Sequence, residues 1–86
     1  MLFITLYKFR HKPTKRDIAE ADKIFARAAR QGVSTIGVWW TLGRFDAVRV
    51  FEAKDVKQAM ALNLALPLAS SETLVGVPRR QAVELL

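Results

Sequence analysis

Few residues in this chain combine polarity with an aromatic setting, and they sit in three short stretches. Thr5 and Tyr7 alternate with aliphatic residues near the start, Trp39, Thr41 and Asp46 surround Gly43, and Arg49 follows shortly after. Two hydroxyl types, one carboxylate and one guanidinium among rings have the make-up of a small-molecule pocket, in which a few placed polar groups orient a mainly apolar ligand. Each also has a purely structural use. Asp46, beside a turn, can accept from backbone N–H groups, and Gly43 supplies the positive φ that such a turn needs. Tyr7 and Thr41 can bond across a contact between copies, and Arg49 can pair with an acid. Trp39 and Trp40 are adjacent, so on a strand they point to opposite faces and cannot both line one cavity.

Catalytic and metal chemistry find little to work with. The sequence has no cysteine and one histidine. That removes disulfides, thiolate metal sites and cysteine nucleophiles together. His11 lies among Lys8, Arg10, Lys12, Lys15 and Arg16 with no second ligand or nucleophile near it in sequence. It reads as a solvated loop histidine. No catalytic residue, metal or cofactor is expected. Fourteen basic against eight acidic residues give a net charge of +6, which attracts polyanions without specifying one.

At 86 residues the chain has room for one domain, 1–86. A domain of this size buries roughly 60–70% of its unfolded surface, enough for a single core. The longest apolar runs, Val33–Leu42 and Ala59–Ala69, fall short of the roughly 20 residues that a membrane helix needs. No basic segment precedes the first apolar stretch, and the expectation is a cytoplasmic protein without membrane contact.

The elements that must position these residues are legible from periodicity. Residues 2–9 are rich in strand formers and apolar on both faces, which marks a strand covered on two sides. Thr14 suits an N-cap, and Ile18, Ala21, Ile24, Phe25, Ala28 and Ala29 recur at helical spacing up to Gly32, a left-handed cap. Residues 33–42 and 45–53 form two strand-like runs around a turn at Gly43, an antiparallel hairpin. In the second run Val48 and Val50 share a face, and Phe45, Ala47, Arg49 and Phe51 share the other. Asp55 opens a helix over about 56–66, with Val56, Ala59, Met60, Leu64 and Ala65 expected towards the sheet, and Pro67 ends it. Residues 70–77 form a last strand, and 79–86 a terminal helical turn carrying Val83 and Leu86.

This order predicts an α+β, ferredoxin-like βαββαβ fold: a four-stranded antiparallel sheet with two helices on one face. An antiparallel sheet wetted on its other face alternates apolar with polar residues, and this one does not. With the aliphatic Leu2, Ile4 and Leu6 assigned to the helices, the open face would carry Phe3, Phe9, Phe45 and Phe51 together with Tyr7 and Trp39. Such a patch exceeds what monomers expose, so these four phenylalanines are the expected contact of a homodimer closed sheet to sheet. A register read one residue off would exchange the two faces.

The element order, the hairpin Trp40-Thr41-Leu42-Gly43-Arg44-Phe45-Asp46, the sequence Glu52-Ala53-x-Asp55 before the second helix and the late Glu72-Thr73-Leu74 together resemble the GYD domain proteins. The resemblance runs over roughly residues 1–82. It implies a dimeric α/β barrel and a homodimer or higher oligomer, and brings no established reaction with it. Two positions depart from the family pattern: Phe45 stands where the signature has tyrosine, and Leu66-Pro67-Leu68-Ala69-Ser70 lacks the glycines expected after the second helix.

Three functions are compatible with these readings. The first is a structural or small-ligand-binding role, in which Thr5, Tyr7, Trp39, Thr41, Asp46 and Arg49 line a cavity between paired sheets that takes a small apolar or aromatic molecule. The second is a cofactor-independent monooxygenase or isomerase type of enzyme using the same cavity. The third, less favoured, is RNA or DNA binding, since the strand order also underlies RNA-recognition domains that stack bases on sheet aromatics.

Overall fold

The computed structural model describes residues 1–67 and 69–86. Its elements are β1 (Leu2–Phe9), α1 (Lys15–Arg30), β2 (Ser34–Trp40), β3 (Ala47–Glu52), α2 (Val56–Ala65), β4 (Ala69–Gly76) and α3 (Arg79–Val83). The four strands form one antiparallel sheet in the order β2-β3-β1-β4, the ferredoxin-like arrangement. Leu68, in the connection that lacks the expected glycines, lies outside the described residues.

Local chemistry sets the boundaries. Thr14 caps α1 reciprocally: its hydroxyl accepts from the Asp17 N–H at 3.1 Å, and the Asp17 carboxylate accepts from the Thr14 N–H at 2.9 Å. At the other end Gly32 takes φ 98°, and the N–H groups of Gly32 and Val33 close onto the carbonyls of Ala29 and Ala28. Asp55 caps α2 by accepting from the Gln58 N–H at 2.8 Å, while Gln58 Oε1 accepts from the Lys54 N–H at 2.9 Å. Gly43 has φ 108° in the connection between β2 and β3, which runs from Thr41 to Asp46 and is longer than the expected turn. Residue 36 is bulged out of β2, so the strand pairs Thr35 with Phe51 and then Gly37 with Val50.

The face assignment is the main correction. Phe3 and Phe51 are 1% and 0% exposed, stacked on each other at 5.4 Å between centroids, in a core that also contains Ala28, Val33, Ala53, Ala59 and Leu62. Their face is the helix-covered one. Opposed residues of an antiparallel ladder share a face. The register therefore puts Leu2, Ile4 and Leu6 with Val48, Val50 and Leu74 on the open side. Phe9 belongs to the helix side and is half-buried, and Phe45 is half-buried in the connection before β3. Phe3, Phe9 and Phe51 are thus off the open face, whereas Phe45, outside the strand, shares a groove with the open-face residues Leu6, Lys8 and Glu72. The physical reason is packing: Ala28 and Ala59 leave room for the two sheet rings, and Ile24, Phe25 and Leu62 close around them.

The second helix is also turned from its expected orientation. Ala59 and Leu62 are buried, whereas Val56, Met60 and Leu64 are exposed. The apolar residues of α2 go nearly all the way round it, so periodicity gave no direction. In α3 Val83 is exposed, as are Leu85 and Leu86 after it. Among the described residues no helix is long and apolar enough to cross a membrane.

Candidate functional site

A cavity of about 80 Å³ lies on the helix side of the sheet, between β1, β2 and β3 below and α1 above. Its walls are Tyr7, Phe9, Ile18, Phe25, Val38 and Trp40, with Ala21, Ala47, Leu66 and Ala69 completing it. A single water needs roughly 10–15 Å³ of such space, so the cavity can hold several waters or a small organic group. Its lining is almost wholly apolar. Phe9 and Trp40 meet edge to face at 5.2 Å and shape one wall.

Beside this cavity is a polar cluster buried under the helices. Arg49 points from the middle of β3 into the helix-covered face and is 2% exposed. Its guanidinium carbon stands 3.7 Å from the centroid of the Phe25 ring and 5.6 Å from that of Phe51. Nη2 donates to the Thr35 hydroxyl, and Nε has no partner. Among the described residues no carboxylate lies within salt-bridge distance of Arg49. Leaving a buried cation without a counter-ion costs several kcal/mol even after relaxation. Cation–π contacts return on the order of 2 kcal/mol when desolvated, which offsets part of that cost.

Tyr7 joins the two regions: its ring lines the cavity, and its buried hydroxyl has Thr5 nearby but no partner at full hydrogen-bond geometry. Burial pushes the Tyr7 phenol above its ordinary value, and the nearby Arg49 charge partly opposes the rise. Burial likewise lowers Arg49, with Tyr7 opposing it. On the far side a chain of polar side chains runs from Asn63 Nδ2 to the Thr73 hydroxyl at 2.6 Å and from there to the Thr5 hydroxyl at 2.9 Å. Asn63 Oδ1 is buried without a partner. Buried polar atoms are nearly always paired, so three orphans in one small region need a reason.

Of the six residues expected to line a pocket, the structure brings together Thr5, Tyr7 and Arg49. The other three are elsewhere. Asp46 accepts from the Phe9 N–H at 2.8 Å, which fastens the connection to β1. Thr41 donates to the Phe45 carbonyl at 2.7 Å within that same connection. Trp39 is on the open face, 53% exposed, with its indole over Gly37 so closely that a Cβ there would collide with it. Trp40 takes its place at the cavity. The cavity thus lies between sheet and helices rather than between two sheets.

The exchange of faces also removes the premise for base stacking. Phe3, Tyr7 and Phe51 are under helices, and the open face offers aliphatic side chains with Trp39 at one edge. His11 is exposed, with Nδ1 within 3.0 Å of the Lys12 carbonyl. Among the described residues no group of three His, Asp or Glu side chains is placed to hold a metal ion.

Sequence reasoning missed Phe25 as the lid over Arg49 and Asn63 as part of the polar chain. The signal for Asn63 was available: it stands four residues after Ala59, on the buried side of α2, where a lone amide needs partners.

A family model described as GYD domain matches residues 5–86. The chain belongs to the GYD domain family. The match spans both the hairpin signature and the cavity residues, so the site just described is built wholly within the GYD domain. The fold of this GYD domain is similar to the crystal structure of PH0061, with a TM-score of 0.57 and 18% identity. That likeness covers 92% of this chain and 54% of the other, so the chain spans about half the length of PH0061. It is similar as well to TTHA0845 from Thermus thermophilus, with a TM-score of 0.52 and 20% identity over 91% of this chain and 98% of the other. At these identities the likeness speaks for the fold of the GYD domain alone. No curated protein matches the sequence.

Proposed function

We propose that this chain, as one GYD domain unit, is a homo-oligomeric small-ligand-binding protein that holds an apolar or aromatic molecule in the cavity between sheet and helices. The observation that carries the reading is an apolar cavity walled in part by Tyr7, whose buried hydroxyl has no partner at full hydrogen-bond geometry. A buried donor calls for an acceptor, and a ligand with an apolar body and one polar atom suits both the cavity and the phenol.

Pairing of two copies is supported by the open face. Leu2, Ile4, Leu6, Val48, Val50 and Leu74 form a continuous aliphatic surface, bordered by Lys8, Glu52 and Glu72. At roughly 25 cal/mol per Å² of apolar area, covering even 1,000 Å² would contribute on the order of 25 kcal/mol before association costs. A second copy related by a two-fold axis presents the same aliphatic surface in return.

The test of ligand binding is an NMR titration of the full chain with small aromatic compounds such as indole and phenol, beside the cavity-filling variant Ala21→Leu. Binding should shift the amide signals of Tyr7, Phe25 and Ala47 in the native chain and disappear in the folded variant. Equal shifts in both, or no binding by any compound, would end the proposal.

A further inference from the structure

Arg49 is a feature that an apolar or neutral aromatic occupant leaves unexplained. Its guanidinium is clasped between the rings of Phe25 and Phe51, and its Nε is buried and unpartnered. No acid among the described residues neutralises it. Phe25 and Tyr7 line the cavity, and they are also the ring stacked on Arg49 and the hydroxyl lying in its field. The cavity is therefore apolar in lining, with the buried Arg49 cation standing behind its Phe25 wall.

Resting on the ligand-binding reading above, we infer that the ligand is a small monocarboxylic acid with an aromatic or branched apolar body. The body fills the space among Phe9, Ile18, Val38 and Trp40, and the carboxylate accepts from the Tyr7 hydroxyl with Arg49 as its buried counter-charge. A carboxylate fits better than a phosphate or sulfate. It spreads one charge over two oxygens and is satisfied by few donors, whereas a phosphate needs several, and the walls here are rings and methyl groups. Such a ligand gives a counter-charge to Arg49 and an acceptor to the Tyr7 phenol at once.

The experiment compares phenylacetate with phenylacetamide, which share a shape and differ in charge, by calorimetric and NMR titration of the full chain. Phenylacetate should bind about tenfold or more tightly than the amide, the scale of one charge-assisted hydrogen bond. Arg49→Met should abolish that preference by weakening phenylacetate about tenfold. Tyr7→Phe should reduce the preference several-fold, and it gives an independent result if the Arg49 variant does not fold. If the amide binds as well as the acid, the carboxylate inference falls and the ligand-binding reading stands. If neither these nor the neutral aromatic compounds bind, both fall.

Discussion

The Arg49 guanidinium carbon lies 3.7 Å from the centre of the Phe25 ring, so that a charge and a hydrophobic side chain share one buried site. The arrangement is a planar cation replacing an apolar neighbour. Arg does this at lower cost than Lys because its charge is delocalised and weakly hydrated, whereas an ammonium is a compact, strongly hydrated charge. Arg49→Lys should therefore lower stability by about 1–3 kcal/mol, whereas Arg49→Met, close in length and free of charge, should be neutral or stabilising by about 1 kcal/mol in the absence of ligand. Urea denaturation of the three proteins checks the order. A methionine variant markedly weaker than the lysine variant would mean that the charge is compensated in the native protein.

Tyr7 is the only tyrosine in the chain, so its phenolate absorbance can be followed without overlap from a second tyrosine. Its pKa is raised above the ordinary 10.0, first by burial, against the pull of Arg49. The sign follows directly. A group that is more firmly protonated when folded contributes its stability fully below the unfolded value and loses it as pH climbs through the folded one. The native chain should thus titrate above pH 10 and unfold more easily as pH rises beyond that point. In Arg49→Met the titration should move higher still. A midpoint at or below 10 in the folded protein would show the hydroxyl to be solvated.

The two faces of the sheet make opposite predictions for the same substitution. Val50→Asp, on the open face, should leave a folded chain that sediments as one copy of 9.7 kDa rather than two. Phe51→Asp, one residue along and wholly buried, should fail to fold, and Phe51→Ala should cost about 3–5 kcal/mol through the cavity left behind. Circular dichroism and sedimentation velocity at micromolar concentration separate the outcomes. A folded, fully associated Val50→Asp would remove the open face as the contact.

Asp46 is spoken for by backbone. It accepts from the Phe9 N–H at the point where the ladder between β1 and β3 ends. Asp46→Ala should lower stability by about 1–2 kcal/mol, and Asp46→Asn should recover much of it because its amide oxygen still accepts. Ligand affinity of the cavity should stay unchanged in Asp46→Asn. A loss of affinity at full stability would return Asp46 to the binding site.

What the residues determine locally was readable without coordinates. Thr14 with Asp17, Gly32, Asp55 and Gly43 mark boundaries through interactions with their immediate neighbours along the chain. The alternation in residues 2–9 and 47–52 likewise separated the side chains into two correct sets, since a strand has a period of two whatever it packs against, whereas Phe45 precedes the strand and escapes the pattern. Which set faces the helices is a property of the assembled layers. Both sets were apolar, so hydrophobicity could not choose. The choice came from packing, with alanines on the helices admitting Phe3 and Phe51. Tertiary packing also decided that Thr5, Tyr7 and Arg49 meet under α1 while Trp39, Thr41 and Asp46 do not. Strand pairing sets Thr5 against Arg49 across β1 and β3, residues 44 positions apart in sequence, and no local pattern encodes that contact.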